Sequence, residues 1–359
     1  MQTLDCYRRI PGLVIFWDES QAVCYVWHTA QRIPITFEAA SLLDELSAWT
    51  TAAQLSDRVG AGDDLSTVAE TIDLLRTRGI IEREADPLAS EWLQWTPEAA
   101  FFHFATKNNV FPEDLLERDH RLVEKATHHP PPSPTKHVGG PRVRFAAAEP
   151  IPLDLESALG TRRTWRRFSK QPVPAAALAT LLGTTFGVQR RGQVKGQAPV
   201  ILRTSPSGGS RHPIEAYVIA WNVDGLPPGA YHYDSDTREL VDLGRDISAG
   251  DISPLLAHQS YFASAAAIVI MCPVFARTMW RYPHSRAYRT VLIDAGHLGQ
   301  TFCLVATALG LARFTTMAFS ESGLEKLLGL DGVNECPVYV AGVGMKDRAA
   351  EEQHRDTAL

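Results

Sequence analysis

The stretch TSPSGGSRHPIEAY, residues 204–217, decides how the C-terminal half of the chain is interpreted. Its two adjacent glycines, Gly208 and Gly209, weaken any regular element, so they favour a loop in which the main chain closely approaches another group. Pro206 and Ser207 precede the glycine pair, and the following IEAYVIAW predicts a β-strand. The loop therefore predicts a ligand contact, with a plain tight turn as the alternative.

The charge distribution around this loop favours an anionic ligand. The 359-residue chain has a formal net charge of -6, yet it carries no Asp or Glu from Ser157 through Ile214. That segment holds ten cations, namely Arg162, Arg163, Arg166, Arg167, Lys170, Arg190, Arg191, Lys195, Arg203 and Arg211. A local electropositive zone usually meets an anion. We therefore expect a bound phosphate, with a solvated basic face as the alternative.

The remaining composition narrows the class of protein. The chain is 45% hydrophobic and 21% charged, which is typical of a globular protein. Five scattered cysteines show no metal-ligand spacing, so no metal is expected. The N-terminal MQTLDCYRRIPG lacks the layout of a signal peptide, and no apolar run reaches the roughly 18 to 20 residues of a membrane span. We expect a cytoplasmic protein with no membrane partner.

Residues 1–85 predict a small winged helix-turn-helix domain. The strand-like runs LVIFW and VCYVW form a predicted hairpin, and three helical segments and a short strand at residues 80–81 follow. Thr36 is a predicted helix cap, and Gly79 suits the end of the third helix. The second and third helices are acid-leaning, so we expect no nucleic-acid partner. Strand addition by a peptide is the expected binding mode.

Two further segments complete the predicted organisation. Residues 86–141 predict a helical connector that ends in the Pro/Gly-rich linker HHPPPSPTKHVGGP. Residues 142–359 predict a larger α+β domain with a mostly antiparallel sheet. Its helix TVLIDAGHLGQTFCLVATALGL is apolar on nearly all sides, so it must be buried in a core or a subunit interface.

An arginine motif, TRRTWRRF, opens this larger domain. In an extended segment Arg162, Thr164 and Arg166 would share one face, because side chains alternate along a strand. In a helical turn, Arg162 and Arg166 would pair at positions i and i+4. In both geometries two guanidinium groups converge, and planar guanidinium donors suit a phosphate.

Taken together, residues 150–345 resemble the flavin-dependent nitroreductase superfamily, and more narrowly its SagB-type branch. Members of that branch are dehydrogenases that oxidise azolines in ribosomally made peptides. The stretches that carry the resemblance are RRTWRRF, SPSGGSRHPIEAYVI, LPPGAYHY, YRTVLIDAGHLGQTFCLVATALGL and CPVYVAGVG. The resemblance implies a nitroreductase-like α+β fold, bound FMN, and a domain-intertwined homodimer.

The same resemblance implies which residues hold FMN. The arginine motif would bind the phosphate and the polar edges of the flavin through Arg162, Arg163, Thr164 and Arg166. The glycine loop would approach the isoalloxazine from the partner subunit through Pro206, Ser207, Gly208 and Gly209. The stretch FTTMAF would face the flavin ring through Thr316, Met317 and Ala318. Arg348 is a further phosphate candidate.

The predicted catalytic pair departs from the family's pattern. Azoline oxidases of the branch have been linked to a Lys-Tyr pair that acts as a base, and the corresponding stretch here supplies Arg281 and Tyr282. Guanidinium stays protonated near neutral pH, so it cannot act as a general base. It can position an anion, while Tyr282 remains the expected proton-handling group.

The resemblance leads to three functional hypotheses. In the first, the enzyme dehydrogenates a precursor peptide whose leader is bound by the N-terminal domain, which resembles the leader-recognition domain of peptide-modifying enzymes. Its expected partner is a cyclodehydratase or another peptide-modifying enzyme. In the second, it is an NAD(P)H-dependent flavin reductase of small electrophiles or dehydroamino acids. In the third, it is a non-catalytic docking or scaffold subunit of a peptide-modifying complex.

Overall fold

The computed structural model describes residues 5–60, 65–109, 111, 115–144, 148–192 and 200–347. The chain forms two compact units, Met1–Phe111 and Pro112–Leu359. The division into residues 1–85, 86–141 and 142–359 stays a prediction from the sequence. In the structure the first unit also contains the helix that follows Pro97.

The N-terminal unit alternates short strands with four helices. Its strands are β1 (Cys6–Arg9), β2 (Val14–Asp18), β3 (Gln21–Val26), β4 (Gln31–Pro34), β5 (Thr50–Thr51) and β6 (Ile81–Arg83). Its helices are α1 (Phe37–Glu45), α2 (Ala52–Val59), α3 (Leu65–Thr77) and α4 (Pro97–Ala105). One sheet has the order β2-β3-β4 and the other β5-β1-β6, and all pairs are antiparallel.

Local signals set the ends of these helices. Thr36 caps α1, since its hydroxyl oxygen accepts a hydrogen bond from the Ala39 amide at 3.2 Å. Thr51 and Gln54 form a capping box at the start of α2. Gly79 has φ +70, the left-handed conformation that follows many helices. The predicted hairpin, helices and closing strand are therefore present in this unit.

The C-terminal unit contains the remaining elements. Its helices are α5 (Leu115–His128), α6 (Leu155–Thr161), α7 (Ala175–Thr185), α8 (Ala249–Ile252), α9 (Phe275–Arg281), α10 (Ala287–Ala308) and α11 (Glu321–Leu328). Its strands are β7 (Arg142–Val143), β8 (Arg190–Gly192), β9 (Val200–Leu202), β10 (Ile214–Ala220), β11 (Gly229–Asp234), β12 (Glu239–Asp242), β13 (Ala267–Pro273), β14 (Ala312–Thr316) and β15 (Tyr339–Gly344).

A seven-stranded sheet organises this unit. Its order is β14-β15-β13-β10-β11-β12-β7, and every neighbouring pair is antiparallel. The two faces of the sheet support two separate apolar clusters, one with α7 and α10 and one that contains Phe262, Phe314 and Leu324. The α+β class and the mostly antiparallel sheet are thus confirmed.

Helix α10 is the long apolar helix that the sequence predicted to be buried. Val291, Ala295, Leu298 and Phe302 lie on its core face and are at most 5% exposed. Within the described part of the chain, α10 alone has the length and composition to cross a membrane, and 61% of its apolar window is buried in the protein. A core helix of a globular domain meets the same criteria.

The Pro/Gly-rich stretch 128–141 is irregular, as its composition predicts, but it packs against the sheet of the C-terminal unit. Lys136 Nζ donates to Tyr217 Oη at 2.7 Å and pairs with Glu335. Farther along, His137 Nδ1 lies 3.0 Å from Asp234 Oδ2. The stretch is therefore held to the sheet by side-chain contacts.

Candidate functional site

Asp294 in the middle of α10 fixes the glycine loop. Its Oδ2 accepts a hydrogen bond from Ser207 Oγ at 2.5 Å, and its Oδ1 accepts a longer one from the Gly208 amide at 3.4 Å. The residue is 4% exposed, and this burial raises the pKa of the carboxyl, while the two hydrogen bonds oppose the rise. A polar residue inside an apolar helix thus serves as the anchor of the loop.

The whole loop follows one stripe of α10. Ser205 Oγ lies 2.7 Å from Thr301 Oγ1, and His297 Nδ1 lies 3.2 Å from the Pro206 carbonyl oxygen. The helix contributes positions 290, 294, 297 and 301 to these contacts, and residues at that spacing share one face. The loop is consequently held along about three turns of helix.

The two glycines of the loop leave room for two side chains of the same chain. A Cβ at Gly208 would lie 2.3 Å from Thr290 Cγ2. A Cβ at Gly209 would lie 2.7 Å from Tyr282 Oη, and Gly209 has φ +60, where a side chain is strained. The main chain of the glycine pair therefore lies close to Thr290 and Tyr282 of the same chain, and the ligand contact stays a prediction.

Arg281 and Tyr282 lie at the end of α9, next to this loop. The Arg281 guanidinium carbon is 5.9 Å from the centre of the Tyr282 ring. On the other side, Arg211 Nε donates to the Gly209 carbonyl oxygen at 2.9 Å. Burial and the charge of Arg281 lower the pKa of Arg211. The structure therefore brings together the predicted catalytic pair and the glycine loop in an electropositive setting.

A buried ion pair holds α9 in this position. Arg277 Nη1 donates to Glu215 Oε1 at 2.6 Å and to the His212 carbonyl oxygen at 3.1 Å. Glu215 is 1% exposed, and His232 Nε2 lies 2.9 Å from its other oxygen. Burial alone would raise the pKa of Glu215, but the contacts with His232 and Arg277 lower it. The helix that carries Tyr282 is thus tied to β10.

The arginine motif follows α6 without continuing the helix. Trp165 and Phe168 are buried, Arg162 is half-buried, and Arg163, Thr164 and Arg166 are exposed. This decides against the helical-turn alternative for the motif. The Trp165 amide donates to the Arg313 carbonyl oxygen at 2.9 Å, which fixes the motif beside β14.

Arg313 is a buried guanidinium beside this motif that the sequence analysis did not single out. It is 1% exposed, and within the described residues its Nε and Nη2 atoms have no hydrogen-bond partner. Burial, together with the charges of Arg162 and Arg163, lowers the pKa of Arg313 to about 10, although Cys303 opposes this shift. Three cations therefore lie within electrostatic reach of one another.

The stretch predicted to face a flavin ring leaves the sheet at the end of β14. The Ala318 amide donates to Thr316 Oγ1 at 3.0 Å, and Met317 is 68% exposed between them. Because Arg313 and Thr316 belong to the same strand, the arginine motif and this stretch share one side of the unit. Arg348 lies outside the described residues.

The glycine loop and the arginine motif occupy different flanks of α10. The loop contacts the stripe that ends at Thr301, whereas Cys303 lies within electrostatic range of Arg313 and Arg162. At 3.6 residues per turn, Cys303 is about 150° from that stripe around the helix axis. Within the described residues, the two predicted groups of site residues, which we call half-sites, therefore lie apart in a single chain.

Comparison with known proteins agrees with this architecture. The model of the Nitroreductase family matches residues 159–345, which is more than half of the chain. The chain therefore belongs to the nitroreductase family, a family of oxidoreductases. The matched span begins in α6 and ends one residue after β15, so it contains both half-sites.

Three curated relatives extend the comparison. The putative nitroreductase MJ1384 of Methanocaldococcus jannaschii is 28% identical over 54% of this chain and 92% of its own length. The trifolitoxin-processing protein TfxB of Rhizobium leguminosarum bv. trifolii is 28% identical over 79% of this chain and 82% of its own length. The microcin B17-processing protein McbC of Escherichia coli is 28% identical over 40% of this chain and 54% of its own length.

Proposed function

We propose that the protein is an FMN-dependent oxidoreductase of the SagB type that dehydrogenates a ribosomally made precursor peptide. The observation that carries the proposal is the pair of half-sites on the two flanks of α10, one rich in guanidinium groups and one formed by the glycine loop and Tyr282. Two relatives named as processing proteins of trifolitoxin and microcin B17 support a peptide substrate.

A homodimer would join the two half-sites. The exposed side of α10 carries the apolar side chains of Tyr288, Leu292 and Ile293, which are 42%, 37% and 55% exposed within the described part of the chain. Exposed apolar side chains on a central helix suit a subunit interface. In the proposed dimer, the arginine motif of one subunit and the glycine loop of the other would face the same cofactor.

The residues present fit FMN. Arg162 and Arg163 offer cationic donors for a phosphate, and Nε and Nη2 of the buried Arg313 have no hydrogen-bond partner among the described residues. Gly208 and Gly209 pack against Thr290 and Tyr282 on their Cβ side, and their main chain would lie against the flavin ring on the other side. When bound, FMN supplies two-electron redox chemistry.

The proposed roles of the chain's own residues follow from their positions. Tyr282 would hold or accept the substrate proton through its hydroxyl, which lies at the glycine loop. Arg281, beside the Tyr282 ring, would orient an anionic group of the peptide. Asp294 would keep the loop in register by its contacts with Ser207 and Gly208.

The N-terminal unit is proposed to be a winged-helix domain that binds the leader of the precursor. Within the described residues, strand β2 pairs on one side only, with β3, so its other edge is open to strand addition. Ile15 and Trp17 on this strand are 47% and 73% exposed. A groove of about 600 Å³, lined in part by Leu13, Ile15 and Leu43, lies next to this strand.

Two measurements test the proposal. Absorbance of the purified protein should show bound flavin, and anaerobic addition of the precursor encoded beside the gene should bleach it. Bleaching by NAD(P)H alone, with no response to precursor, would favour the reductase hypothesis instead. A colourless protein that takes up no flavin would contradict the proposed enzyme class.

Leader binding is tested separately in the full-length chain. Trp17→Glu places a charge beside the open edge of β2 and should weaken binding of the precursor at least tenfold. The matched control is Leu74→Glu on α3, which is 57% exposed and should leave binding unchanged. Loss of binding in the control but not in Trp17→Glu would assign the leader to a different surface.

A further inference from the structure

Arg313 stands apart from the other buried arginines of the C-terminal unit. Arg277 is 3% exposed and is neutralised by Glu215, and Arg203 is 9% exposed and donates to the Ile214 carbonyl oxygen and to Ser235 Oγ. Among the described residues, Arg313 has neither a carboxylate within ion-pair distance nor a hydrogen bond from Nε or Nη2. Its charge is therefore buried without compensation from the part of the chain that the structure describes.

The surroundings make this arrangement unfavourable for the isolated chain. Arg162 and Arg163 are close enough to act on Arg313 through their charges, and like charges in a region of low dielectric constant repel each other. A buried donor without a partner also loses its hydration. Such a cluster is stabilised when an anion binds between the cations.

The main chain holds the cluster together. The Trp165 amide donates to the Arg313 carbonyl oxygen, and the Ser169 amide donates to the Met345 carbonyl oxygen, both at 2.9 Å. The motif is therefore fixed to β14 at its middle, and the residue that follows the motif is fixed to the segment after β15. The main chain that carries Arg162 and Arg163 is therefore held beside Arg313 by the fold.

We propose that Arg313 binds the phosphate of FMN from the interior side, with Arg162 and Arg163 completing the phosphate site. This inference rests on the proposed function, and it adds a ligand residue that lies in a strand outside the arginine motif. A guanidinium offers two parallel donors to phosphate oxygens, which would satisfy Nε and one Nη together. Riboflavin, which lacks the phosphate, would gain nothing from this residue.

The comparison of FMN with riboflavin tests the assignment. Flavin is removed from the wild-type protein and from the Arg313→Met and Arg313→Lys variants, and each is titrated with both flavins by fluorescence quenching. We expect Arg313→Met to bind FMN about ten- to a hundredfold more weakly, with riboflavin affinity unchanged, and Arg313→Lys to lie between. Arg190→Met, an exposed arginine in β8 of the same acid-free segment, should match the wild type.

Thermal unfolding of the flavin-free proteins separates binding from folding. Because Arg313→Met removes an uncompensated buried charge, its flavin-free form should unfold at or above the wild-type temperature. Equal loss of FMN and riboflavin affinity, together with earlier unfolding, would overturn the phosphate assignment in favour of a structural role. Unchanged FMN affinity in Arg313→Met would overturn the assignment while the proposed function stands. A wild-type protein that binds neither flavin would overturn both.

Discussion

The hydroxyl oxygen of Tyr282 lies 2.7 Å from the point that a Cβ would occupy at Gly209. The proposed proton-handling residue therefore packs directly on the loop that is proposed to contact the cofactor. Since Gly209 also has φ +60, a side chain at this position would be strained and would displace the tyrosine hydroxyl. The glycine pair therefore helps to hold Tyr282 in place.

The neighbouring contact at Gly208 allows a paired test. Gly208→Ala should destabilise the protein by about 1 to 3 kcal/mol, because its methyl group would meet Thr290 Cγ2 at 2.3 Å. Thr290→Ser removes that methyl group, so the double variant should regain most of the lost stability. Urea unfolding of the two single variants and the double variant measures the coupling. Additive effects would show that the crowding lies elsewhere.

The pH dependence of stability should contain a contribution from His212, which is 6% exposed. Burial, and then the charge of Arg203, lower its pKa from 6.5 to about 3. The folded state therefore keeps His212 neutral while the unfolded state takes up a proton, so stability is lost as the pH falls from about 6.5 towards 3. The slope approaches about 1.4 kcal/mol per pH unit within that window.

His212→Asn isolates this contribution, because asparagine tolerates the positive φ of 44 at this position. The free energy of unfolding of the variant should fall less steeply between pH 6.5 and 4 than that of the wild type. Unfolding by urea at several pH values measures both curves. Parallel curves would mean that His212 is not the group that titrates.

Tyr282→Phe tests the proton-handling role. The ring keeps its packing on Gly209, so flavin content and unfolding temperature should stay close to the wild-type values, while reduction of the flavin by the precursor slows by about a hundredfold. Stopped-flow bleaching at 450 nm, roughly the flavin absorption maximum, records the rate. Tyr7→Phe, in β1 of the N-terminal unit, is the control and should keep the rate at saturating precursor. An unchanged rate in Tyr282→Phe would leave the hydroxyl without a catalytic role.

Local signals predicted the elements well. The cap at Thr36, the left-handed Gly79 and the long apolar α10 all occur where the sequence pattern indicates. These features depend on hydrogen bonds and hydrophobic spacing within a few turns of the chain, so they can be predicted from the sequence alone. The sequence also predicts the irregular stretch 128–141. It does not predict how this stretch packs, because Lys136 contacts Tyr217, which is far away in the sequence.

The site residues that sequence reasoning missed are those set by tertiary contacts. Asp294 is a lone acid within an apolar helix, a signal that could have suggested a buried polar anchor. Arg313 interrupts the apolar run before FTTMAF, and a buried cation in a strand was likewise visible in the sequence. What each of them contacts required the three-dimensional arrangement.

The separation of the two half-sites by α10 implies that subunits can rescue each other. In the proposed homodimer, one copy damaged only at Arg313 and another damaged only at Gly208 would together form one centre carrying both defects and one carrying none. Mixing two inactive preparations should then restore up to half of the normal activity per mixed dimer. Such complementation occurs only when each active centre is formed by residues of both subunits.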